Sequence, residues 1–417
     1  MIKYFGSSGI ALTAPQIFAA RKTRSSIAQP PLILAVRIQG GWDPTMVFDP
    51  KIGSSTVSQE SGAAETTAGS IPYVSHPDRP SIAEFFANHN ADAVVINGVY
   101  CRAMDHESAL IENHSIPLSA SHFRGDGRRA DPLAIYATRT DPGLSAPHIN
   151  LGCTSTAGAY IPMSHQLTKG LIDRYSTGSF AMQSSFSSEA DEAVRKYFNR
   201  RIATTLSTFP SLGLDSEKID SLARNYSREH YFYEVIPEVI SQIGSPSSTL
   251  LRYMKIALQL FAKGQTLAAA VGDDDQHGWD THRSHYSNHS RKFESLFEDL
   301  NEALGFASQL GLSDRLILIV GSDVGRSPQL NSAAGKDHWS FSSALLYSRL
   351  IVGNQVIGGT DDFLRGQKVS AETGKIDQKD GIVLTMPHIY ASIFKLLGME
   401  LEDTFIDQTY INALVPT

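Results

Sequence analysis

A chain of 417 residues, 41% hydrophobic and 19% charged, with 32 Gly and 19 Pro, has the make-up of a folded protein and not of a disordered or fibrous one. A net charge of −7, a pI near 6.1 and the lack of any Lys/Arg-rich tract argue against a nucleic-acid partner. Two cysteines, Cys101 and Cys153, exclude a disulfide framework and a Cys-based zinc site, and no run of 18 apolar residues is present to span a membrane.

Residues 1–26 contain a mildly apolar, small-residue run (YFGSSGIALTAPQIFAA) followed by the basic Arg21-Lys22-Thr23-Arg24. This reads as an export leader or a flexible arm, and it sets the protein in the periplasm or at the cell surface. Residues 27–417 are expected to form a single α/β domain. The run PPLILAVRIQG, bounded by Pro-Pro and Gly-Gly, predicts a buried strand that ends just before Asp43. Residues 52–70, rich in Ser, Thr, Gly and Ala, predict a loop. A helix over 80–89 then leads to a strand over 91–100, and strand–helix–strand in that order predicts a right-handed βαβ unit in a parallel sheet. Asp105 is placed to cap a short helix. DPLAIYAT at 131–138 predicts a strand. Helical periodicity dominates 185–265, a helical insertion joined to the same domain. A strand over 266–273, a long amphipathic helix over 284–309 and the strand RLILIVGSD at 315–323 follow. ALLYSRLIVG predicts a further strand, and 387–398 a last helix.

Successive parallel strands bring the loops at their C-terminal ends together, and acid-bearing loops recur at those ends here. Asp43 follows the first strand and Asp105-His106 the second. Asp280 and His282 follow 266–273, Asp323 closes 315–323, and Gly335-Lys336-Asp337-His338 lies just beyond. Taken singly, Asp43 or Asp280 is more often a turn residue or helix cap than a ligand, and His338 more often a hydrogen-bonded structural histidine. The joint pattern points to a metal site, because divalent cations need carboxylates, or for zinc imidazoles, converging from several segments. Beside Arg283, Asn288 and Arg291, His285 and His289 read as surface residues, and Asp273, Asp274 and Asp275 as a solvated loop. The sequence has no GxSxG elbow, Walker A loop, HExxH or sulfatase-type C/S-x-P-x-R. The metal-ligand candidates are Asp43, Asp280, His282, Asp323 and His338. The catalytic candidates are Asp105, His106 and Ser108 at a helix N-terminus, with Arg326, which either pairs with a phosphate or sulfate or holds its loop by a salt bridge.

These motifs resemble those of the bacterial "domain of unknown function 1501" proteins, a distant branch of the alkaline phosphatase and arylsulfatase superfamily. The family's G-G-W-D-T-H resembles His277-Gly278-Trp279-Asp280-Thr281-His282. Its S-E-F-G-R-T-P resembles Ser322-Asp323-Val324-Gly325-Arg326-Ser327-Pro328, followed by Asn331 and Gly335-Lys336-Asp337-His338. Its closing G-G-x-v-x-G-G resembles Val352-Gly353 through Gly358-Gly359. The resemblance implies a three-layer α/β/α fold with a mostly parallel central sheet. It also implies two metal sets, one with Asp43 and Asp323, the other with Asp280, His282 and His338. Two departures stand out: Val324 occupies the place of a superfamily histidine, and Asp323 that of the family's Glu. The implied activity is a metal-assisted hydrolase or transferase for a phosphate, sulfate or related ester. Its substrate would be an anionic ester or a glycan, and its cofactor zinc, calcium, magnesium or manganese. The alternative is a non-catalytic envelope protein that binds or assembles with another envelope component and keeps the fold with a degraded site.

Overall fold

The computed structural model describes residues 29–117, 129–141, 144, 146–153, 155–156, 164–177, 235–272, 276–399 and 409–416, with isolated residues between 193 and 232. In chain order the strands are β1 (Leu32–Ile38), β2 (Ala64–Ala68), β3 (Ile71–Ser75), β4 (Ala93–Tyr100), β5 (Ile116–Pro117), β6 (Arg129–Ala130), β7 (His148–Leu151) and β8 (Ser164–Leu167). They continue as β9 (Ala268–Gly272), β10 (Leu316–Ser322), β11 (Gly325–Arg326), β12 (His338–Trp339), β13 (Phe341–Tyr347) and β14 (Gln355–Gly358). The helices are α1 (Pro80–His89), α2 (His106–His114), α3 (Pro132–Thr140), α4 (Lys169–Thr177), α5 (Thr249–Ala262), α6 (His285–Gln309) and α7 (Met386–Leu396).

One eight-stranded sheet, in the order β14-β4-β13-β10-β1-β9-β7-β8, organises the molecule. β1, β9 and β10 are buried along their whole lengths. A strand covered by helices on both faces needs such an unbroken apolar run, and these are the segments where the sequence supplies one. Seven strands run in one direction; β13 alone is antiparallel to both its neighbours, β10 and β4. The fold is thus α/β with a mostly parallel central sheet, as expected. The layer on one face comprises α1, α5 and α6, with α6 packed on α1 and α5. The other face carries α2, α3 and α7, with α2 against α7 and α3 on β7 and β9. β1 and β4 are parallel, but β10 and β13 lie between them, so the expected βαβ unit is not a neighbouring pair.

Several local expectations are corrected. Residues 131–138 are helical, not extended: Asp131 caps α3 by accepting from Leu133 N, Pro132 sits at the helix start, and Pro132 through Ala137 are all buried. A short, fully buried helix has no polar face, so its apolar run imitates a core strand. The predicted loop at 52–70 contains β2, which turns at Gly69 (φ 58°) to pair with β3. His285 and His289 are fully buried, not on the surface. They extend the stripe Phe293, Leu296, Phe297, Leu300 and Leu304 by about two helical turns toward the N-terminus, at a spacing of four. Cys101 and Cys153 are free thiols. The leader or arm at 1–26 and the Asp273–Asp275 loop lie outside the described residues. So does most of the helical insertion, of which 235–242 and α5 are described.

The α2/α3/α7 face of β1 holds a buried polar seam. Arg37 pairs with Asp131 at 2.8 Å, both essentially unexposed. His148 Nδ1 meets Ser164 Oγ at 2.9 Å, and His114 Nδ1 meets the Tyr390 hydroxyl at 3.0 Å. Burial pulls the His148 pKa down to about 4, against the raising effect of the Asp131 charge, and pulls that of His114 well below its usual range. The folded state therefore holds His148 neutral, whereas the unfolded chain takes up a proton near pH 6.5. Stability is full above the unfolded value and falls as the pH drops from there toward about 4, by about 3 kcal/mol from this residue. Urea unfolding at a series of pH values should show this slope, and His148→Gln should flatten it; an identical slope in the variant would assign the acid sensitivity to other groups.

Candidate active site

The site is built where the C-terminal ends of β1, β4, β9 and β10 meet the entrance of β13. After β1 the chain turns through Gly40 (φ 114°) and Gly41 (φ 75°), backbone conformations that side-chain-bearing residues rarely adopt. A Cβ on Gly41 would also lie 2.7 Å from Val324 Cγ2. The turn aims two amides at the buried Asp323: Gly41 N donates to Oδ1 at 2.9 Å and Gly40 N to Oδ2 at 3.1 Å. Trp42 and Phe48 then anchor this loop on α6 through Phe293 and Phe297, with the Trp42 and Phe48 rings 4.7 Å apart.

Arg326, on β11 and fully buried, ties the loops together. Its Nε donates to Gly41 O at 2.8 Å and its Nη1 to Lys336 O at 3.0 Å. Its Nη2 donates to Gly40 O, to Trp279 O at 3.0 Å and to Asp280 Oδ1 at 2.7 Å. The salt-bridge reading of Arg326 is the one this geometry has: the guanidinium is occupied by the protein's own loops. Gly335 lets the β11–β12 connection pass against the backbone of His282, where an added Cβ would lie 1.9 Å from the His282 carbonyl carbon.

Around Asp280 Oδ1 stand three imidazoles. His338 Nε2 and His282 Nε2 each lie 3.1 Å from it and His106 Nε2 3.5 Å, while His282 Nε2 and His338 Nε2 are 3.2 Å apart. The ligand atoms of His106, Asp280 and His338 all lie within 4.8 Å of one another. Each ring is oriented from behind. His338 Nδ1 donates to Met104 O at 2.6 Å, His282 Nδ1 to Asp337 at 2.8 Å, and His106 Nδ1 to Asp323 Oδ2 at 2.6 Å. A carbonyl or carboxylate only accepts, so each Nδ1 carries a proton, and each ring turns its Nε2 toward the same carboxylate oxygen. His106 Nε2 is buried with no hydrogen-bond partner.

An imidazole nitrogen that carries no proton faces Asp280 Oδ1 as acceptor to acceptor, an arrangement that a bound cation relieves. Burial pushes the Asp280 carboxyl up, but hydrogen bonds from Arg326 and His338 and the Arg326 charge outweigh it and hold the group well below the usual carboxylate range. Burial likewise opposes charge on His106, yet the hydrogen bond and charge of Asp323, with Asp280, leave its pKa raised. Tetrahedral ligands of zinc stand about 3.3 Å apart, which matches the spacings around Asp280 Oδ1. An imidazole ring anchored through its other nitrogen is also the usual arrangement behind a metal ligand. The donor set fits a metal that accepts imidazole, as zinc does, better than calcium, magnesium or manganese, which favour oxygen ligands.

Of the residues singled out in the sequence, the fold brings together Asp280, His282, His338 and His106. Asp323 stands behind His106 with its oxygens engaged by amides, and Asp43 lies in a separate buried cluster with His285 and Lys336. Neither carboxylate joins the nitrogens grouped at Asp280 Oδ1: Asp323 meets His106 only at Nδ1, on the far side of its ring, and Asp43 is enclosed by donors of its own. The imidazole absent at Val324 is supplied beside Asp323 by His106. Asp105 and Ser108 are exposed: Asp105 caps α2 by accepting from Ser108 N at 2.8 Å, and these amide bonds lower its pKa. The sequence reading assigned no role to Asp337, Lys336 or His285. The alternation Lys336-Asp337-His338 is the signal for the first two, since it sends successive side chains to different partners.

Residues 256–409 match the model of a family described as "Protein of unknown function (DUF1501)". That stretch carries Asp280, His282, Asp323, Arg326 and His338, and it agrees with the motif resemblance. No curated protein matches the sequence. Solved structures with a similar course of the chain include the PsFucS1 sulfatase from Pseudoalteromonas sp., at 10% identity over 93% of this chain and 74% of that one, TM-score 0.40. The lipoteichoic acid synthase LtaP from Listeria monocytogenes is 9% identical over 92% and 76%, TM-score 0.41. Murine ectonucleotide pyrophosphatase/phosphodiesterase 5 is 8% identical over 88% and 95%, TM-score 0.39. At these scores the likeness says nothing about chemistry or substrate.

Arg326→Ala leaves four backbone carbonyls and Asp280 without their shared donor and should destabilise the protein by about 3–5 kcal/mol. Arg326→Lys, which lacks the planar fork, should recover only part of that loss. Denaturant midpoints of the three proteins check this, and a wild-type midpoint in Arg326→Ala would show that the loops are held by other contacts.

Proposed function

We propose that this chain, matched to the DUF1501 family over residues 256–409, is a metal-assisted hydrolase or transferase acting on a phosphate, sulfate or related ester. One observation carries the reading: three anchored imidazoles present Nε2 to a single oxygen of an ionised carboxylate. His106, Asp280 and His338 would hold the ion, with His282 beside them. When bound, a divalent ion at such a site polarises an ester oxygen and lowers the pKa of water.

The residues of the chain set what surrounds that chemistry. Asp323, Asp337 and the Met104 carbonyl fix the three rings, so no reorganisation is needed when charge develops at the site. Arg326 keeps Asp280 ionised and stays with the loops, leaving substrate charge to be met by the cluster. His282, 45% exposed against 11% for His106, is the member open to an incoming anion. Thr281 Oγ1 is buried between His285 and His289 and so is not placed to act as a nucleophile.

A second reading, a non-catalytic envelope protein with a degraded site, is favoured by Arg326 being locked on loop carbonyls. Elemental analysis and an ester screen separate the two. Asp280→Ala and His338→Ala should each lose bound metal and at least 100-fold in turnover, in line with the loss of a ligand or its support, while unfolding as cooperatively as wild type. Folded wild-type protein with neither metal nor turnover on phosphate and sulfate esters would leave the binding reading standing.

A further inference from the structure

We propose that Lys336 is a built-in cation standing where the motif resemblance implies a second metal ion, so that the site takes one divalent ion and not two. The one-ion count rests on reading His106, Asp280 and His338 as a metal site; the role of Lys336 rests on its own geometry.

The resemblance places Asp43 among metal ligands, but the residues around it do not fit an ion. Asp43 is fully buried. Its Oδ1 accepts from Thr45 N at 3.0 Å and Thr45 Oγ1 at 2.7 Å, and its Oδ2 from His285 Nε2 at 2.8 Å and Lys336 Nζ at 2.6 Å. A carboxylate has about four lone-pair positions, and four donors fill them. Asp323, the other member of that implied set, is similarly enclosed: the amides of Gly40, Gly41 and Val324 and the ring of His106 converge on it.

Charge makes the same case. Lys336 is fully buried, and a buried ammonium persists only where an anion compensates it. Asp43 supplies that anion, so the pair is neutral where a carboxylate and a divalent ion would not be. Lys336 is also fixed in place. Its amide donates to Thr281 O at 3.1 Å, its carbonyl accepts from Arg326, and its Nζ lies 5.9 Å from the centre of the Tyr286 ring. The side chain has no exposed course by which to leave Asp43 to an incoming ion.

The test is zinc stoichiometry of the metal-stripped full-length protein, read by elemental analysis after gel filtration. Wild type should take one equivalent. Lys336→Ala, which opens the space and uncovers the charge of Asp43, should take two. The double variant Asp43→Asn/Lys336→Met removes both charges at nearly constant shape, and it should return to one. Two equivalents in wild type, one of them lost in the double variant, would overturn the proposal, and so would folded Lys336→Ala that still takes only one. If Lys336→Ala does not fold, the double variant decides: one equivalent retained supports the proposal, and an equivalent lost overturns it. Wild type that takes no zinc defeats the metal reading of His106, Asp280 and His338 and the one-ion count with it. The stand-in role of Lys336 then falls or survives on whether its removal creates a zinc site.

Discussion

A single planar cation holds this site in shape. The Arg326 guanidinium reaches the loop after β1, the loop after β9 and the β11–β12 connection at once, with partners up to 286 residues away from it in sequence. Loops at the ends of parallel strands expose carbonyls that the sheet cannot pair, and a buried carbonyl left without a donor is costly. A guanidinium satisfies several of them in one plane and fixes their mutual angles, which a point-like ammonium cannot do. Its charge also keeps Asp280 ionised, and the orientation of the three imidazoles has meaning only around an ionised carboxylate.

Two clusters of the same residue types lie side by side, and what separates them is the count of donors against acceptors. Around Asp43, Thr45, His285 and Lys336 close the carboxylate with four donors, and Thr281 Oγ1 lies between His285 and His289 at 2.7 and 2.9 Å. That carboxylate has no free lone pair and acts as a core element. Around Asp280, three imidazole nitrogens and Arg326 crowd one oxygen, and His106 Nε2 is left without a hydrogen-bond partner. Composition and burial would rank the first cluster as the more special; the balance of hydrogen bonds selects the second.

Long, strongly patterned elements were legible in the sequence. β1, β4, β9, β10, α1, α6 and α7 follow from apolar runs and helical stripes, and the convergence of acid-bearing loops follows from parallel strands. The failures have specific causes. Residues 131–138 form a helix short and buried enough to lack any polar face. His285 and His289 were read against their charged neighbours in sequence, when the relevant neighbours are Phe293 and Phe297 one and two turns on. At the site, residue types marked Asp280, His282 and His338, but type alone cannot distinguish a ligand from the group that orients it. Asp323 is such an orienting group, and only contacts across more than 200 residues reveal it.

β13 is the one strand that runs against the others, and it enters the middle of the sheet, between β4 and β10, although it is among the last to be made. Because it is antiparallel, its beginning, and not its end, lies at the loop-bearing edge, which is why His338 and Trp339 stand immediately before it. Without β13 the sheet is two separate pieces, β14-β4 and β10-β1-β9-β7-β8. The pairing of β13 with β4 spans more than 240 residues of sequence, and that edge of β4 stays open until β13 is made. Contacts of that sequence separation form slowly and leave edges exposed in the interval. His338 meets Asp280 from the segment that leads into β13, so the strand that joins the two pieces of the sheet also brings in the last histidine of the cluster.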